Sequence, residues 1–430
     1  MFTEKHILGN PYNNHKLSRT VTGYEVTTVD CTSDKSSGWN GTTVNLTPNT
    51  APTGYAFSGW NITGAALTGS QFLFNNSDVT AAALFYHTAL PDDVIRAKYL
   101  PGTQPQQRTY RVDTLYDADQ NIWDLSSTKT RDWTNLCQNE TNMVEVIAAN
   151  PKNVSSMSYL FYGDTGLSAV APFETSAVTN FDHAFRQCTK LLSIPLYNTQ
   201  NVTSFNSCFL NCTSLTSVAE LNTENVSSFE DIFYNCSSLS SVPLFNTTKA
   251  VSMTGMFAGC SSLTGIPAYN MDLVKSARGM FLECDKLVSV PDLYTPNLTD
   301  ASAMFRYCHS LVNAPSFNTN KVSSFRDMFR GCDSLQYMPA YVSNSVTSMY
   351  NMCNGCSSLS ALPVFNYSKI NTVVYAFYNC VNVTTGISAN YAAVSSKITY
   401  TGNQTKAFGN CGINTVQGNA ELNLVSSTWK

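Results

Sequence analysis

Charge is scarce in this chain. Lys and Arg total 25 and Asp and Glu 29, so only 13% of the 430 residues are charged and the net charge is -4. So thin a charge gives no electrostatic case for nucleic acid or for an anionic membrane surface. Histidine is rarer still, and the five (His6, His15, His87, His183, His309) are scattered. The chain has no His-Glu-x-x-His, Gly-x-Ser-x-Gly, Gly-x-x-x-x-Gly-Lys or EF-hand run, the patterns that would carry zinc, nucleophilic, phosphate or calcium chemistry. Neither a catalytic residue nor a cofactor or metal site is therefore expected, and the chain is read as a non-enzyme. No apolar run approaches the roughly 20 residues of a membrane-spanning helix, so no membrane insertion is expected. The start, MFTEKHILGNPYNNHKLSRTVTG, has neither a basic-then-apolar leader nor a lipobox cysteine. That predicts a chain not exported by a cleaved signal.

What is present points to a large core. Hydrophobic residues make up 43% and aromatics 12%, the length allows two to four domains, and Ser, Thr and Asn dominate the polar remainder. Nine of the 14 cysteines fall 24 residues apart: Cys188, Cys212, Cys236, Cys260, Cys284, Cys308, Cys332, Cys356 and Cys380. One more unit lies upstream, with Asp164 in the cysteine column. Three residues before the column stand Phe161, Phe185, Phe209, Phe233, Phe257, Phe281, Phe305, Phe329 and Phe377, with Cys353 as the departure. Three after it stand Leu167, Leu191, Leu215, Leu239, Leu263, Leu287, Leu311, Leu335 and Leu359, and seven after it a proline recurs from Pro195 to Pro363. A period held this long defines a repeat protein.

Within a unit, apolar residues stand seven, four and three before the cysteine and at the cysteine itself (Phe325, Met328, Phe329, Cys332). That is the stripe of a helix with one buried face. Ser or Thr ahead of it (Thr203, Ser227, Ser323, Thr347) suits an N-cap, and Gly or Asn just before the cysteine (Asn211, Asn235, Gly259, Gly331, Gly355) suits the left-handed residue that ends a helix. The following Leu-x-x-Val/Ile-Pro predicts a short extended segment closed by proline, which removes a ladder donor. The expected fold is an α/β solenoid, leucine-rich-repeat-like, with one short helix and one short strand per 24 residues, preceded by small β-rich N-terminal domains. Its repeat core is Phe185, Cys188, Phe233, Cys236, Phe257, Cys260, Phe281, Cys284, Phe329 and Cys332. The cysteines read as compact buried hydrophobes; disulfides and a metal are the competing readings, but every thiol has two equivalent neighbours and no second ligand type recurs beside the column. Asp164 is explained as an end unit facing solvent. A serine in the column is expected to bury a hydroxyl with no partner.

The pattern Asn-Thr-x-x-Val-x-x-Met-x-x-Met-Phe-x-x-Cys-x-Ser-Leu-x-x-Val/Ile-Pro resembles the BspA-type, or DUF285-like, leucine-rich repeats of surface proteins in gut bacteria and mycoplasmas, over about residues 150 to 390. Upstream, Gly54, Tyr55, Phe57, Gly59, Trp60, Asp78, Val79, Thr80 and Phe85 carry a resemblance to a Listeria–Bacteroides B-repeat. Ile122 to Leu136 is similar to segments that precede such repeats in proteins of gut bacteria and their phages, which implies a hairpin-rich adaptor. The expected organisation is an N-terminal anchoring arm over 1–22, a β-rich B-repeat-like module over 23–90, an adaptor and N-terminal cap over 91–149, the solenoid over 150–390 and a C-terminal cap over 391–430. Ala407 to Gly412 reads as a last repeat echo, displaced by seven residues.

Other candidates are weaker. Asp117, Asp119 and Asp124 form an acidic cluster that could hold calcium, against the plainer reading of a solvated turn. Glu230 with Asp231, and Asp327 with Arg326 and Arg330, read as solvated charges. Tyr162, Tyr234, Tyr307 and Tyr378 form an aromatic stripe that reads either as ligand-facing or as scattered surface rings. Two function classes stand above an enzyme. The first is a virion structural protein of a bacteriophage (head or tail fibre, or decoration protein), assembled in the host cytoplasm. It would be anchored to capsid or tail proteins through Met1, Phe2, Gly9, Asn10, Pro11 and Tyr12, be homo-oligomeric, and meet a host-surface glycan or protein. The second is a bacterial cell-surface adhesin.

Overall fold

The repeat unit is built from consecutive tight turns. In the unit of Cys260, the N–H groups of Met253, Gly255, Phe257 and Gly259 donate to Ser276, Arg278, Met280 and Leu282 carbonyls of the next unit at 2.9, 2.9, 2.9 and 2.6 Å. The intervening N–H groups of Met256, Ala258 and Cys260 donate to the carbonyls three residues back, at 3.2, 3.1 and 3.0 Å. Alternate amides are thus satisfied within the unit and across it, so each unit depends on its neighbour for half of these bonds. The structure, a computed structural model, describes residues 4–8, 17–21, 24–29, 31–35, 37–38, 42–50, 55–63, 67–68, 70–73, 79–87, 90–129, 131–341, 344–398, 402 and 404–430.

The expected helix in each unit is not formed. Among the described residues the α-helices are α1 (Ile387–Ser395) and α2 (Val416–Asn423), both beyond the last in-register cysteine. The physical reason is a pair of left-handed residues four apart, five before and one before the cysteine. Asp231 and Asn235 have φ of 52° and 58°, Gly255 and Gly259 59° and 73°. One such residue ends a helix; two prevent it and leave two four-residue turns. These turns bury the same positions that a helix would, so Phe325, Met328, Phe329 and Cys332 all point inward with no more than 2% exposure. The position just before the cysteine is left-handed, as expected, at Asn211, Asn235, Gly259, Gly331 and Gly355. The Ser and Thr positions expected to cap a helix instead bond along the repeat: Thr203 Oγ1 donates to the Thr179 carbonyl at 3.2 Å and Thr347 Oγ1 to that of Ser323 at 3.3 Å.

The expected strand is reduced to isolated parallel bridges such as Leu293–Phe317, Asn313–Tyr337 and Ala361–Thr385. Pro291, Pro315, Pro339 and Pro363 stand in these segments and each removes a donor, which keeps the bridges from growing into a longer ladder.

The N-terminal part is β-rich. Strands β1 (Glu4–Leu8) and β2 (Leu17–Val21) pair antiparallel, so the segment expected to be an anchoring arm holds a two-stranded ribbon. Met1, Phe2, Gly9, Asn10, Pro11 and Tyr12 lie outside the described residues. Then come β3 (Tyr24–Val29), β4 (Cys31–Ser33), β5 (Ser37–Gly38), β6 (Thr43–Pro48), β7 (Tyr55–Thr63), β8 (Leu67–Thr68), β9 (Gln71–Leu73) and β10 (Val79–His87), in two four-stranded sheets ordered β5-β3-β10-β7 and β4-β6-β9-β8. The backbone register sets Phe85 opposite Phe57 beside a bulge at Leu84/Phe85. A five-stranded sheet follows, ordered β12-β13-β11-β14-β15, from β11 (Val94–Tyr99), β12 (Arg111–Asp117), β13 (Ile122–Ser127), β14 (Met143–Asn150) and β15 (Ala169–Val170).

This last sheet merges with the repeats. β14 pairs parallel with β15 at Glu145–Ala169 and Val146–Val170, a separation of one repeat. The turn pattern also reaches back across the expected boundary at residue 150. Trp133, Asn135, Cys137 and Asn139 donate to Ser156, Ser158, Leu160 and Tyr162, and Asn135 and Asn139 are left-handed. At the other end Phe377, Tyr375 and Asn379 donate to Ala407, Thr405 and Gly409, and Phe377 stacks on Phe408 at 5.4 Å. The seven-residue displacement read from the sequence is thus visible in the register. One apolar core runs from Ile95 to Trp429.

Candidate functional site

Three features of the repeats carry chemistry: the thiol column, the turn face outside it and the ionic junction at the capped end. The column cysteines are fully buried. Each Sγ donates to the carbonyl of the residue in the phenylalanine column one unit back: Cys188 to Phe161, Cys236 to Phe209, Cys284 to Phe257 and Cys332 to Phe305, at 3.0, 3.0, 3.1 and 3.0 Å. Those carbonyls already accept an N–H from within their own unit, so the thiol fills the second lone pair. Burial pushes the pKa of every thiol from Cys188 to Cys356 up, away from the reactive thiolate. Beside the thiols the phenylalanine rings stack: Phe209 on Phe233 at 5.5 Å, Phe233 on Phe257 at 5.9 Å, Phe257 on Phe281 at 5.8 Å and Phe305 on Phe329 at 5.4 Å. Phe185 and Phe281 are buried in the same column. Where Cys353 interrupts it, the sulfur lies 3.6 Å from Met338 Sδ.

Asp164 is not at a solvent-facing end. It is fully buried because the unit at 131–142 covers it. In that unit Glu140 takes the cysteine column and Cys137 the phenylalanine column. Asp164 Oδ1 accepts the Glu140 N–H, while Oδ2 has no partner. Glu140, 1% exposed, accepts from Arg111 at 2.9 Å and from the Gln106 N–H at 3.0 Å. Burial, reinforced by the nearby Glu140 charge, holds the Asp164 carboxyl well above the usual range, against the Glu140 N–H bond, Arg108 and Arg111. The structure therefore favours a neutral acid where other units have a thiol.

The remaining sequence candidates disperse. Asp124 is held by Arg96 at 2.8 and 2.9 Å, and Asp117 caps its own turn through the Asp119 and Gln120 N–H groups, in keeping with the plainer reading of a turn rather than the calcium alternative. Asp327 is no solvated charge but 5% exposed, bonded by Asn351 Nδ2 at 3.0 Å and flanked by Arg326 and Arg330. Asp231 is half-buried, its oxygen in the space above Gly255. Tyr162 is overlain by Arg186 at 5.6 Å, Tyr307 by Arg306 and Arg330 at 4.8 and 5.6 Å, and Tyr378 by Lys406 at 5.8 Å, so most of the stripe is already occupied. The site that sequence reading missed is a depression of about 490 Å³ lined by Asn235, Gly259, Ser261, Glu283, Asp285, Tyr307 and His309. Its residues sit one before and one after successive cysteines, a spacing that could have revealed it.

The family described as "Mycoplasma protein of unknown function, DUF285" matches three tandem stretches, residues 131–243, 216–316 and 299–411. The chain belongs to this DUF285 family. Its matched region starts at the first turn unit with Trp133 and ends at Cys411, the limits that backbone bonding gives. No curated protein matches the chain. The DUF285 repeats here are thus an array of tight turns behind a β-rich N-terminal part, and the family description assigns them no activity.

Proposed function

We propose that this chain is a non-enzymatic structural and adhesion protein of a bacteriophage particle, a head or tail fibre or a decoration protein. The DUF285 units form an open solenoid that projects outward, and the N-terminal region, with its B-repeat-like module over 23–90, joins it to capsid or tail proteins. The thiol column carries the reading. Its S–H groups serve as donors between units, a role that oxidation would abolish, so it suits folding in a reducing cytoplasm, where virions assemble. The solenoid exposes many Ser, Thr and Asn side chains and, among the rings, Tyr294 and Tyr337, which suit contact with a host-surface glycan or protein. A bacterial cell-surface adhesin is the second reading, favoured by the family's description as a Mycoplasma protein. Deleting residues 1–22 should abolish incorporation into the particle while the repeat amides stay protected from exchange. Incorporation of the truncated chain would overturn the anchoring role.

A further inference from the structure

We propose that the depression centred on Gly259 binds one unit of a neutral saccharide; this rests on the display reading above and gives it a ligand class. The residues just before and just after each buried cysteine flank one strip of surface. The side chain just before leans over the following unit. Asn235 Oδ1 lies 2.2 Å from where a Cβ on Gly259 would stand, and the Tyr307 ring 2.4 Å from where one on Gly331 would stand. Gly259 has nothing to lean onward, so the strip opens between Asn235 and Glu283. Elsewhere along the repeats the strip is mostly Gly, Asn, Thr and Ser; only Glu283 with Asp285 and Tyr307 with His309 bring a charge or a ring on both sides of one cysteine.

The chemistry suits a sugar. The Glu283 and Asp285 carboxylates accept hydroxyl protons, the Asn235 amide and Ser261 hydroxyl add polar contacts, and a ring supplies a face for the sugar's C–H groups. Arg306 and Arg330 occupy the Tyr307 ring, so stacking falls to His309, whose side chain is 47% exposed. Its Nδ1 lies 2.8 Å from Asp333 and its Nε2 4.0 Å from Asp285, so the ring is fixed before a ligand arrives, which limits the entropy lost on binding. Arg306 and Arg330, over the Tyr307 ring, offset the Glu283 and Asp285 carboxylates, which argues against a basic peptide.

The test titrates the full chain with cellohexaose, laminarihexaose and chitohexaose, and with oligolysine, by calorimetry at low and high salt. Expected is saturable binding of at least one saccharide, little changed by salt. Gly259→Asn fills the floor with the residue that Asn211 and Asn235 already place in that column, and Glu283→Gln removes an acceptor charge; each should weaken binding at least about tenfold, or about 1.4 kcal/mol. Retained exchange protection of the Phe257 amide shows that the variants fold. Failure of all three saccharides, indifference to both substitutions, or salt-sensitive binding of oligolysine alone would overturn the proposal. Incorporation into particles is read separately, so loss of this site leaves the display reading standing, and loss of incorporation leaves the titration valid.

Discussion

Replacing Cys284 tests the thiol ladder at mid-array. Phe257 O accepts the Cys260 N–H at 3.0 Å and Cys284 Sγ at 3.1 Å, so truncation leaves that carbonyl with one bond, not none. Cys284→Ala removes one buried sulfur, comparable to a methylene at about 0.8 kcal/mol. A cavity of roughly 20 Å³ adds about 0.5 kcal/mol, and the weak S–H bond about 0.5 kcal/mol. The expected cost is about 2 kcal/mol. Cys284→Ser retains a donor facing the same carbonyl; its bond, about 1 kcal/mol, offsets most of a burial penalty of about 1–2 kcal/mol. The serine variant should thus cost about 1 kcal/mol, no more than alanine, contrary to the expectation of an orphaned hydroxyl. Repeat arrays need not unfold in one step, so native-state hydrogen exchange at the Phe257 and Cys284 amides is the proper assay. A serine variant weaker than alanine by more than about 1 kcal/mol would show that the side chain has no acceptor there, and the ladder would be wrong.

Phe257→Ala removes a fully buried ring held between Phe233 and Phe281 and should cost about 3–5 kcal/mol, read as lost exchange protection in the units on both sides. Asp164 should make the capped end pH-dependent. Its folded pKa is raised above 3.8 by burial first and Glu140 second, so its contribution is complete below that value and declines as the pH rises toward the folded pKa. Glu140, Arg108, Arg111, Cys137 and Tyr99 face it. Asp164→Asn should flatten the decline and stabilise the cap at pH 7, as read by fluorescence of the buried Trp133; an unchanged pH profile would refute a neutral Asp164. Gly331→Ala should cost more than Gly355→Ala. Both are left-handed, but a Cβ at 331 meets the Tyr307 ring at 2.4 Å, whereas at 355 the nearest atom is 3.8 Å away. Equal melting temperatures would mean that Tyr307 does not lie over Gly331.

The columns were legible because period and burial are properties of sequence: Phe233, Cys236 and Leu239 are buried wherever the backbone between them runs. That backbone was not legible from the stripe, since a helix and two four-residue turns bury the same spacing. The discriminating signal lay five before the cysteine, where Asp231, Gly255, Gly279, Asp327 and Asn351 are left-handed. At Tyr159, His183, Ala303 and Tyr375 the same conformation has no compositional mark; cross-unit bonding imposes it. The unit at Trp133 escaped notice because Cys137 and Glu140 replace the Phe and Cys that define the pattern. The depression at Gly259 depends on which way neighbouring side chains lean, a property of stacking that no single unit's sequence contains.

The most direct test of the stacked-unit account is alkylation of the native protein followed by mass spectrometry, with and without denaturant. The nine column cysteines from Cys188 to Cys380 should be unmodified and unlinked in the native state, since each is fully buried and donates to a neighbouring carbonyl, and all should label after unfolding. Rapid native labelling, or crosslinks such as Cys236–Cys260, would contradict the ladder on which both the fold and the proposed cytoplasmic assembly rest.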